Sequence, residues 1–114
     1  MTKVFAVFVG LLLGAGTGLA FAQGPEGLGL YQKQCRACHG VDGVPPPAMM
    51  KSMKRLRSLA DPAFMASISV DSMVAVLSKG KGQMKPYAGK LSDDQLRAVA
   101  QYVRSLPEKT GKKS

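Results

Sequence analysis

The clearest periodic pattern in the chain lies near its carboxyl end and predicts an amphipathic helix. Apolar residues recur there at helical spacing: Leu96, Val99, Ala100, Val103 and Leu106. Ser92 and Gln95 have the spacing of a capping box, and the two aspartates between them suit a helix N-terminus. Pro107 is expected to end the helix.

A shorter pattern predicts a first helix over residues 27–35. Leu28 and Tyr31 would share one face of this helix, while the polar residues 32–34 would point largely outward. Further along, three consecutive prolines at 45–47 predict an extended loop, because proline has no amide hydrogen to donate to a sheet.

The central segment carries methionines and leucines at helical spacing, with basic residues between them. The apolar positions are Met49, Met50, Met53, Leu56 and Leu59, and the basic ones are Lys51, Lys54, Arg55 and Arg57. This pattern predicts an amphipathic helix whose apolar stripe faces the core and whose basic face is solvated. A dedicated docking helix is the alternative interpretation.

Two further short helices are predicted from capping signals. Asp61 followed by Pro62 indicates an N-cap and a first-turn proline, opening a helix that continues to Ile68. Asp71 would cap a second helix, which would end at Gly80. Because the chain shows no convincing strand pattern and no internal repeat, the sequence predicts an all-α domain.

The first 22 residues have the pattern of a secretory signal peptide. Lys3 gives a short positive start, an apolar run follows, and residues 20–22 fit a small-x-small cleavage site. Cleavage after Ala22 would leave a single domain over residues 23–114. An uncleaved membrane anchor is the alternative, since the apolar run is nearly long enough to span a bilayer.

The chain is strongly basic and small. Its formal net charge is +9, or about +8 without the lysine of the predicted signal, so acidic partner proteins are expected, with looser association to an anionic membrane surface. Nucleic acid is disfavoured, because no nucleic-acid motif accompanies the charge. Residues 107–114 are predicted to form a basic flexible tail. A domain of this size is only marginally stabilised by an apolar core and benefits from a covalent staple.

The only two cysteines and the only histidine form one motif, Cys35-Arg36-Ala37-Cys38-His39. C-x-x-C-H is the attachment pattern of c-type haem, in which two thiols bond the haem vinyl groups and the histidine reaches the iron. A redox-active C-x-x-C pair would need a strand and helix pattern that is missing here, and a zinc site would need a fourth ligand. A plain disulfide would be strained and would leave His39 unexplained. We therefore predict one covalently bound haem c, attached through Cys35 and Cys38, with His39 as an axial iron ligand.

The second axial ligand decides whether the iron is closed or open to other ligands. No second histidine exists, and five of the six methionines after residue 22 fit helical patterns. Met84 instead lies in a glycine-rich loop, residues 80–89, between two predicted helices. A thioether is a soft ligand that suits haem iron and raises its reduction potential. We predict Met84 as the second axial ligand, with a loop methionine that only covers the pocket as the alternative.

With these motifs the chain resembles the class I c-type cytochromes, the small electron carriers of bacterial respiratory and photosynthetic chains. Residues 80–92 are similar to the sixth-ligand loop of that family and the start of its last helix. Gly27, Tyr31 and Tyr102 resemble the family's contact between first and last helices. The resemblance implies a small cytochrome c fold, with three to five short helices around one haem.

The same resemblance implies two more residues at the haem. One of the three consecutive prolines, with Pro47 as the expected one, would offer its carbonyl to the outer nitrogen of His39 and so orient the ring. Tyr87, in the predicted ligand loop, is expected to contact the haem.

The predicted function is periplasmic single-electron transfer without enzyme activity. A cluster of lysines near Met84 either steers the protein to acidic redox partners or only keeps it soluble, and both interpretations stay open: Lys79, Lys81, Lys85 and Lys90. A haem enzyme or gas sensor with an open sixth position is disfavoured, because no second histidine exists to act as acid or base. An electron-delivery subunit of a larger redox complex is a further alternative.

Overall fold

The computed structural model describes Gly10, Gly14 and residues 25–111. The predicted cleavage site and residues 112–114 lie outside the described residues, as does the rest of the predicted signal peptide apart from Gly10 and Gly14. Seven helices form in the described part: α1 (Pro25–Gln34), α2 (Arg36–His39), α3 (Pro47–Ser52), α4 (Pro62–Ala66), α5 (Val70–Lys79), α6 (Asp93–Arg104) and α7 (Leu106–Gly111). None of these helices combines the length and the apolar character needed to cross a membrane.

The all-α prediction is confirmed, although the helices are more numerous than expected. Residues 25–111 contain no β-strand, only two isolated bridges that pair Lys81 with Met84 and Ala88 with Leu91. Seven helices are present instead of three to five because α2, α3, α4 and α7 are only four to six residues long. Helices this short contain too few residues for a helical repeat of apolar positions to be recognised in the sequence.

The core forms where α1 and α5 pack against α6. Its buried residues are Tyr31, Cys35, Met65, Met73, Leu77, Leu96, Val99, Ala100, Val103 and Leu106. A Cβ on Gly27 would lie 2.5 Å from the Ala98 carbonyl oxygen, so the absent side chain lets α1 approach α6. The Tyr31 and Tyr102 rings meet there with centroids 5.2 Å apart. The predicted contact between first and last helices is therefore confirmed.

The predicted apolar face of α1 is only partly correct. Tyr31 is fully buried and residues 32–34 are exposed, as expected. Leu28, however, is 39% exposed, and Leu30 packs against the core in its place.

Helix α6 has the predicted capping box but ends earlier than expected. The Ser92 hydroxyl accepts from the Gln95 amide at 3.2 Å, and the Gln95 side chain accepts from the Ser92 amide at 3.0 Å. The helix ends at Arg104, and Pro107 lies in the first turn of α7, where a missing amide hydrogen costs nothing.

The predicted flexible tail over residues 107–114 is wrong as far as Gly111, because α7 occupies that segment. The Lys109 ammonium lies 4.2 Å from the centre of the Tyr102 ring. The Thr110 hydroxyl donates to the Leu106 carbonyl at 2.9 Å. The Lys109 contact holds α7 against the end of α6, and the Thr110 bond lies within α7.

The predicted central helix is also wrong in length, since α3 ends at Ser52. Like charges three and four residues apart repel on a helix surface, and no acidic residue lies between Gly43 and Ala60 to offset them. Of the predicted apolar stripe, only Leu59 packs against the buried cluster, and Met50 is 52% exposed. The core-facing interpretation therefore fails for the rest of the stripe.

Helix α4 begins as predicted. The Asp61 carboxylate accepts from the amides of Ala63 and Phe64 at 3.0 and 3.3 Å. The helix ends at Ala66, two residues before Ile68, the expected end.

Helix α5 has a different cap from the predicted one. The Ser69 hydroxyl accepts from the Ser72 amide at 3.0 Å, so Ser69 and not Asp71 is the N-cap. Asp71 lies in the first turn and forms an ion pair with Arg97 of α6 at 3.0 Å. The helix ends as predicted, with Gly80 as its C-cap.

Candidate haem site

The cysteines and the histidine of the attachment motif share one helical turn, at the junction of α1 and α2. The amides of Cys38 and His39 donate to the Cys35 carbonyl at 3.3 and 3.0 Å. Both cysteines are free thiols. Burial, together with the nearby Cys38 thiol, raises the pKa of Cys35 to about 11. Two unpaired thiols on one turn, followed directly by an imidazole, match the donor set of the C-x-x-C-H motif.

The His39 imidazole is largely enclosed by protein. Burial lowers the pKa of His39, so its ring is neutral at neutral pH, the form that binds a metal. Its Nδ1 atom is buried and has no hydrogen-bond partner among the described residues. Buried polar atoms without partners are rare in proteins and call for an explanation. One explanation is that this histidine serves to bind a group such as a metal or cofactor.

The predicted hydrogen bond from His39 to Pro47 is not formed among the described residues. Pro47 is exposed and opens α3. The Pro46 carbonyl accepts from two amides of the same helix. Pro45 is the buried member of the three.

The residue after His39 is fixed on several sides. The Gly40 amide donates to the Arg36 carbonyl at 2.8 Å, and the Tyr31 hydroxyl donates to the Gly40 carbonyl at 2.7 Å. Gly40 has a φ of +79°, and a side chain there would collide with the Val44 carbonyl oxygen. Sequence reasoning noted the Tyr31 ring but missed the bond from its hydroxyl.

Met84 lies in a tight turn after α5. Its amide and carbonyl both pair with Lys81, at 3.0 and 3.1 Å. Its half-buried side chain packs against the core. Gly80 supports the turn with a φ of +74°, and a Cβ on it would lie 2.6 Å from the Met84 carbonyl oxygen.

Tyr87 joins this loop to the attachment motif. Its hydroxyl donates to the carbonyl of Gln34, the residue before Cys35, at 3.0 Å. Burial raises the pKa of Tyr87, and the thiols of Cys35 and Cys38 raise it further. The bond to Gln34 therefore holds the loop that carries Met84 beside the motif.

The other methionines after residue 22 fall into two groups. Met65 and Met73 are buried in the core. Met49, Met50 and Met53 are half-buried or exposed and do not join the core cluster. Core packing thus explains only two of the five methionines for which it was predicted.

Comparison with known proteins identifies the family. Residues 22–103 match the family model described as cytochrome C oxidase, cbb3-type, subunit III. Cytochrome c6 of Leptolyngbya boryana is 35% identical over 80 residues, which are 70% of this chain and 88% of that protein. The chain belongs to the class I c-type cytochromes.

A second relative and a solved structure are also similar to this class I c-type cytochrome. Chloroplastic cytochrome c6 of Chlamydomonas reinhardtii is 31% identical over 106 residues, 90% of this chain and 68% of that protein. The solved structure of the c-type cytochrome KustC0563 superposes with a TM-score of 0.63 at 30% identity, covering 70% of this chain and 95% of that one.

The family settles the cofactor. A class I c-type cytochrome binds haem c covalently, and the residues fit it: two free thiols, a neutral imidazole beside them and a buried Nδ1 without a partner. The predicted haem c is thus confirmed. This class I c-type cytochrome is an electron carrier that acts with redox partners.

Proposed function

We propose that this cytochrome is an exported single-electron carrier whose haem iron is held by His39 and Met84. The bound haem supplies a one-electron couple. The observation that carries the proposal is the Tyr87 hydrogen bond to Gln34 at 3.0 Å, because it ties the Met84 loop to the attachment motif. Met49 and Met53 have no comparable link, since they lie in a segment that does not join the core.

The residues of the site act by holding and shielding the haem. Thioether bonds from Cys35 and Cys38 would fix it to the α1–α2 junction, and His39 and Met84 would hold the iron. The buried residues of the described part are apolar, and both a dry surrounding and a thioether ligand favour the less charged ferrous state. We therefore expect a higher reduction potential than a second histidine would give.

Two finer assignments belong to this proposal. In the haem-loaded protein, a carbonyl of the proline segment 45–47 would accept from His39 Nδ1, which has no partner among the described residues, and would raise the basicity of the ring. Pro47 is the expected source of that carbonyl, and Pro45 is the alternative because it is the buried proline of the three. Tyr87 contacts the haem, supported by its hydrogen bond to the residue before Cys35.

We place the mature protein in the periplasm. The support is the signal pattern of residues 1–22, with cleavage after Ala22. A membrane anchor formed by the same residues is the alternative, and the mass of the protein purified from its host decides between them.

Carbon monoxide binding tests the axial pair. Reduced wild-type protein is expected to bind carbon monoxide poorly because both axial positions are filled. Met84→Ala is expected to bind it at least about tenfold more tightly, the effect of ~1.4 kcal/mol of lost iron–sulfur bonding. Met53→Ala, at a half-buried methionine outside the core, is the matched control and should behave as wild type. Ready binding by the wild type would instead favour a haem enzyme or sensor.

We further propose that the lysines around Met84 guide the protein to acidic redox partners. All four are exposed, and no acidic residue lies between Ser72 and Ser92 to neutralise them: Lys79, Lys81, Lys85 and Lys90. Such a single-sign field raises association rates with oppositely charged partners. Solubility alone is the competing role.

Charge reversal separates these two roles. Lys81→Glu with Lys85→Glu is expected to slow oxidation by the anion ferricyanide at low salt by about tenfold. Lys54→Glu with Arg55→Glu changes the net charge equally at a distant segment and is expected to have a smaller effect. Stopped-flow rates across a range of ionic strength measure both. If the oxidation rate falls equally in the two double variants, the lysines around Met84 do not guide partners and serve only to keep the protein soluble.

A second candidate function is electron delivery within a larger complex. The family model that matches residues 22–103 is described as a subunit of a cytochrome C oxidase, which favours this reading. Purification at mild salt with a stoichiometric partner protein would support it, whereas a lone 12.0 kDa species or its processed form supports the free carrier.

A further inference from the structure

We propose that the Tyr31 hydroxyl is a positioning group for His39. By holding the Gly40 carbonyl, it sets the orientation of the His39 imidazole toward the haem iron. The inference rests on the proposed axial role of His39 and is independent of Met84.

The donor is rigid. Tyr31 is fully buried, and its hydroxyl donates to the Gly40 carbonyl at 2.7 Å. The ring is held against Tyr102 with centroids 5.2 Å apart and planes tilted by 52°. Because α1 and α6 cross closely at Gly27, the ring has little room to turn. The hydroxyl is therefore a donor fixed in place by the core.

The acceptor is rigid as well. The Gly40 amide donates to the Arg36 carbonyl at 2.8 Å, and the space beside its Cα is filled by the Val44 carbonyl. With the hydroxyl on its own carbonyl, Gly40 is held at both of its backbone polar groups. The Gly43 amide also donates to this carbonyl, but at 3.4 Å, so loss of the hydroxyl would leave Gly40 with only the longer of its two bonds.

The direction of the His39 side chain depends in part on the backbone on either side of it. Its amide is bound to the Cys35 carbonyl at 3.0 Å, and the Gly40 carbonyl that follows it accepts from the Tyr31 hydroxyl at 2.7 Å. The backbone is thus fixed before His39 by Cys35 and after it by Gly40, so a shift at Gly40 would turn the imidazole.

The test compares Tyr31→Phe with Tyr102→Phe in the haem-loaded protein. Each variant keeps both rings and removes one hydroxyl. In Tyr31→Phe, the Gly40 amide hydrogen is expected to exchange with solvent about tenfold faster than in the wild type. The spread of haem methyl shifts in the NMR spectrum of the oxidised protein, which reports the plane of the axial histidine, is also expected to change. Tyr102→Phe is expected to leave both near wild type.

A Tyr31→Phe protein with a lower melting temperature but an unchanged methyl pattern would overturn the inference, since it would show a packing role only. If Tyr31→Phe fails to take up haem, the inference is tested instead by NMR of the wild-type protein. A Tyr31 hydroxyl proton that exchanges slowly and shows a nuclear Overhauser effect to the Val41 amide supports the bond, and one that exchanges as fast as that of Tyr102 overturns it. A high-spin wild-type spectrum would count against the proposed axial pair, and these readouts would still report on Tyr31.

Discussion

Gly27→Ala is expected to destabilise the folded protein by about 2–3 kcal/mol, lowering its melting temperature by roughly 10 °C or more. The new Cβ would lie 2.5 Å from the Ala98 carbonyl oxygen and 3.1 Å from the Tyr102 Cβ. Both neighbours belong to α6, so a helix and not a flexible side chain must shift. The gain from replacing a helical glycine, about 0.5–1 kcal/mol, is too small to offset this.

Gly29→Ala is the matched control in the same helix. No atom lies within 4 Å of a Cβ at this position, so only the helix-forming gain remains, and the melting temperature is expected to rise by a few degrees. Thermal melts of the haem-loaded variants followed by far-UV circular dichroism measure both changes. Shifts of the same sign in the two variants would contradict the close crossing of α1 and α6.

Gly80→Ala is expected to weaken or abolish the proposed bond between Met84 and the haem iron. Gly80 has a φ of +74° and a ψ of 171°, a region that costs other residues about 1–3 kcal/mol. Its Cβ would also lie 2.6 Å from the Met84 carbonyl oxygen and 2.9 Å from the Pro86 nitrogen. Because these atoms are backbone, the loop must move, and the methionine moves with it.

Gly82→Ala separates loop displacement from simple backbone strain. Gly82 also has a positive φ, +57°, but a Cβ there meets nothing within 4 Å. The Gly82→Ala substitution is therefore expected to cost only about 1–2 kcal/mol of conformational strain. The weak sulfur-to-iron absorption band should therefore fade in Gly80→Ala and persist in Gly82→Ala. A band that persists equally in both would show that Gly80 does not position Met84.

Local chemistry in the sequence predicted the parts of the protein that depend on neighbouring residues. The C-x-x-C-H motif and the Ser92 capping box each lie within a few positions of chain; the motif lies on one helical turn, and the capping box forms as predicted. Asp71 shows the limit of such reasoning, because Ser69, two residues earlier, offers its hydroxyl to the same helix end.

Periodicity alone misjudged the segment after the prolines. Met49 to Leu59 has helical spacing, but repulsion among its basic residues leaves only a short α3. Conversely, Pro107 predicted the end of the last helix and a flexible tail, but contacts of Lys109 with the Tyr102 ring and of Thr110 with the Asp42 carbonyl support a helix beyond it.

The links that shape the site come from residues distant in sequence. Tyr31 reaches Gly40 nine positions away, and Tyr87 reaches Gln34 across 53 positions. A tyrosine hydroxyl in a sequence gives no sign of which carbonyl it will meet, because that depends on how the helices cross. Only the packed fold reveals these two bonds.

The absorption spectrum of the purified holoprotein, first oxidised and then reduced, tests the central claim most directly. Ligation by His39 and Met84 predicts low-spin haem in both states and a weak sulfur-to-iron band in the oxidised state. That band should disappear in Met84→Ala and remain in Met53→Ala and Met49→Ala. A high-spin wild type, or a band that survives Met84→Ala, would contradict the account.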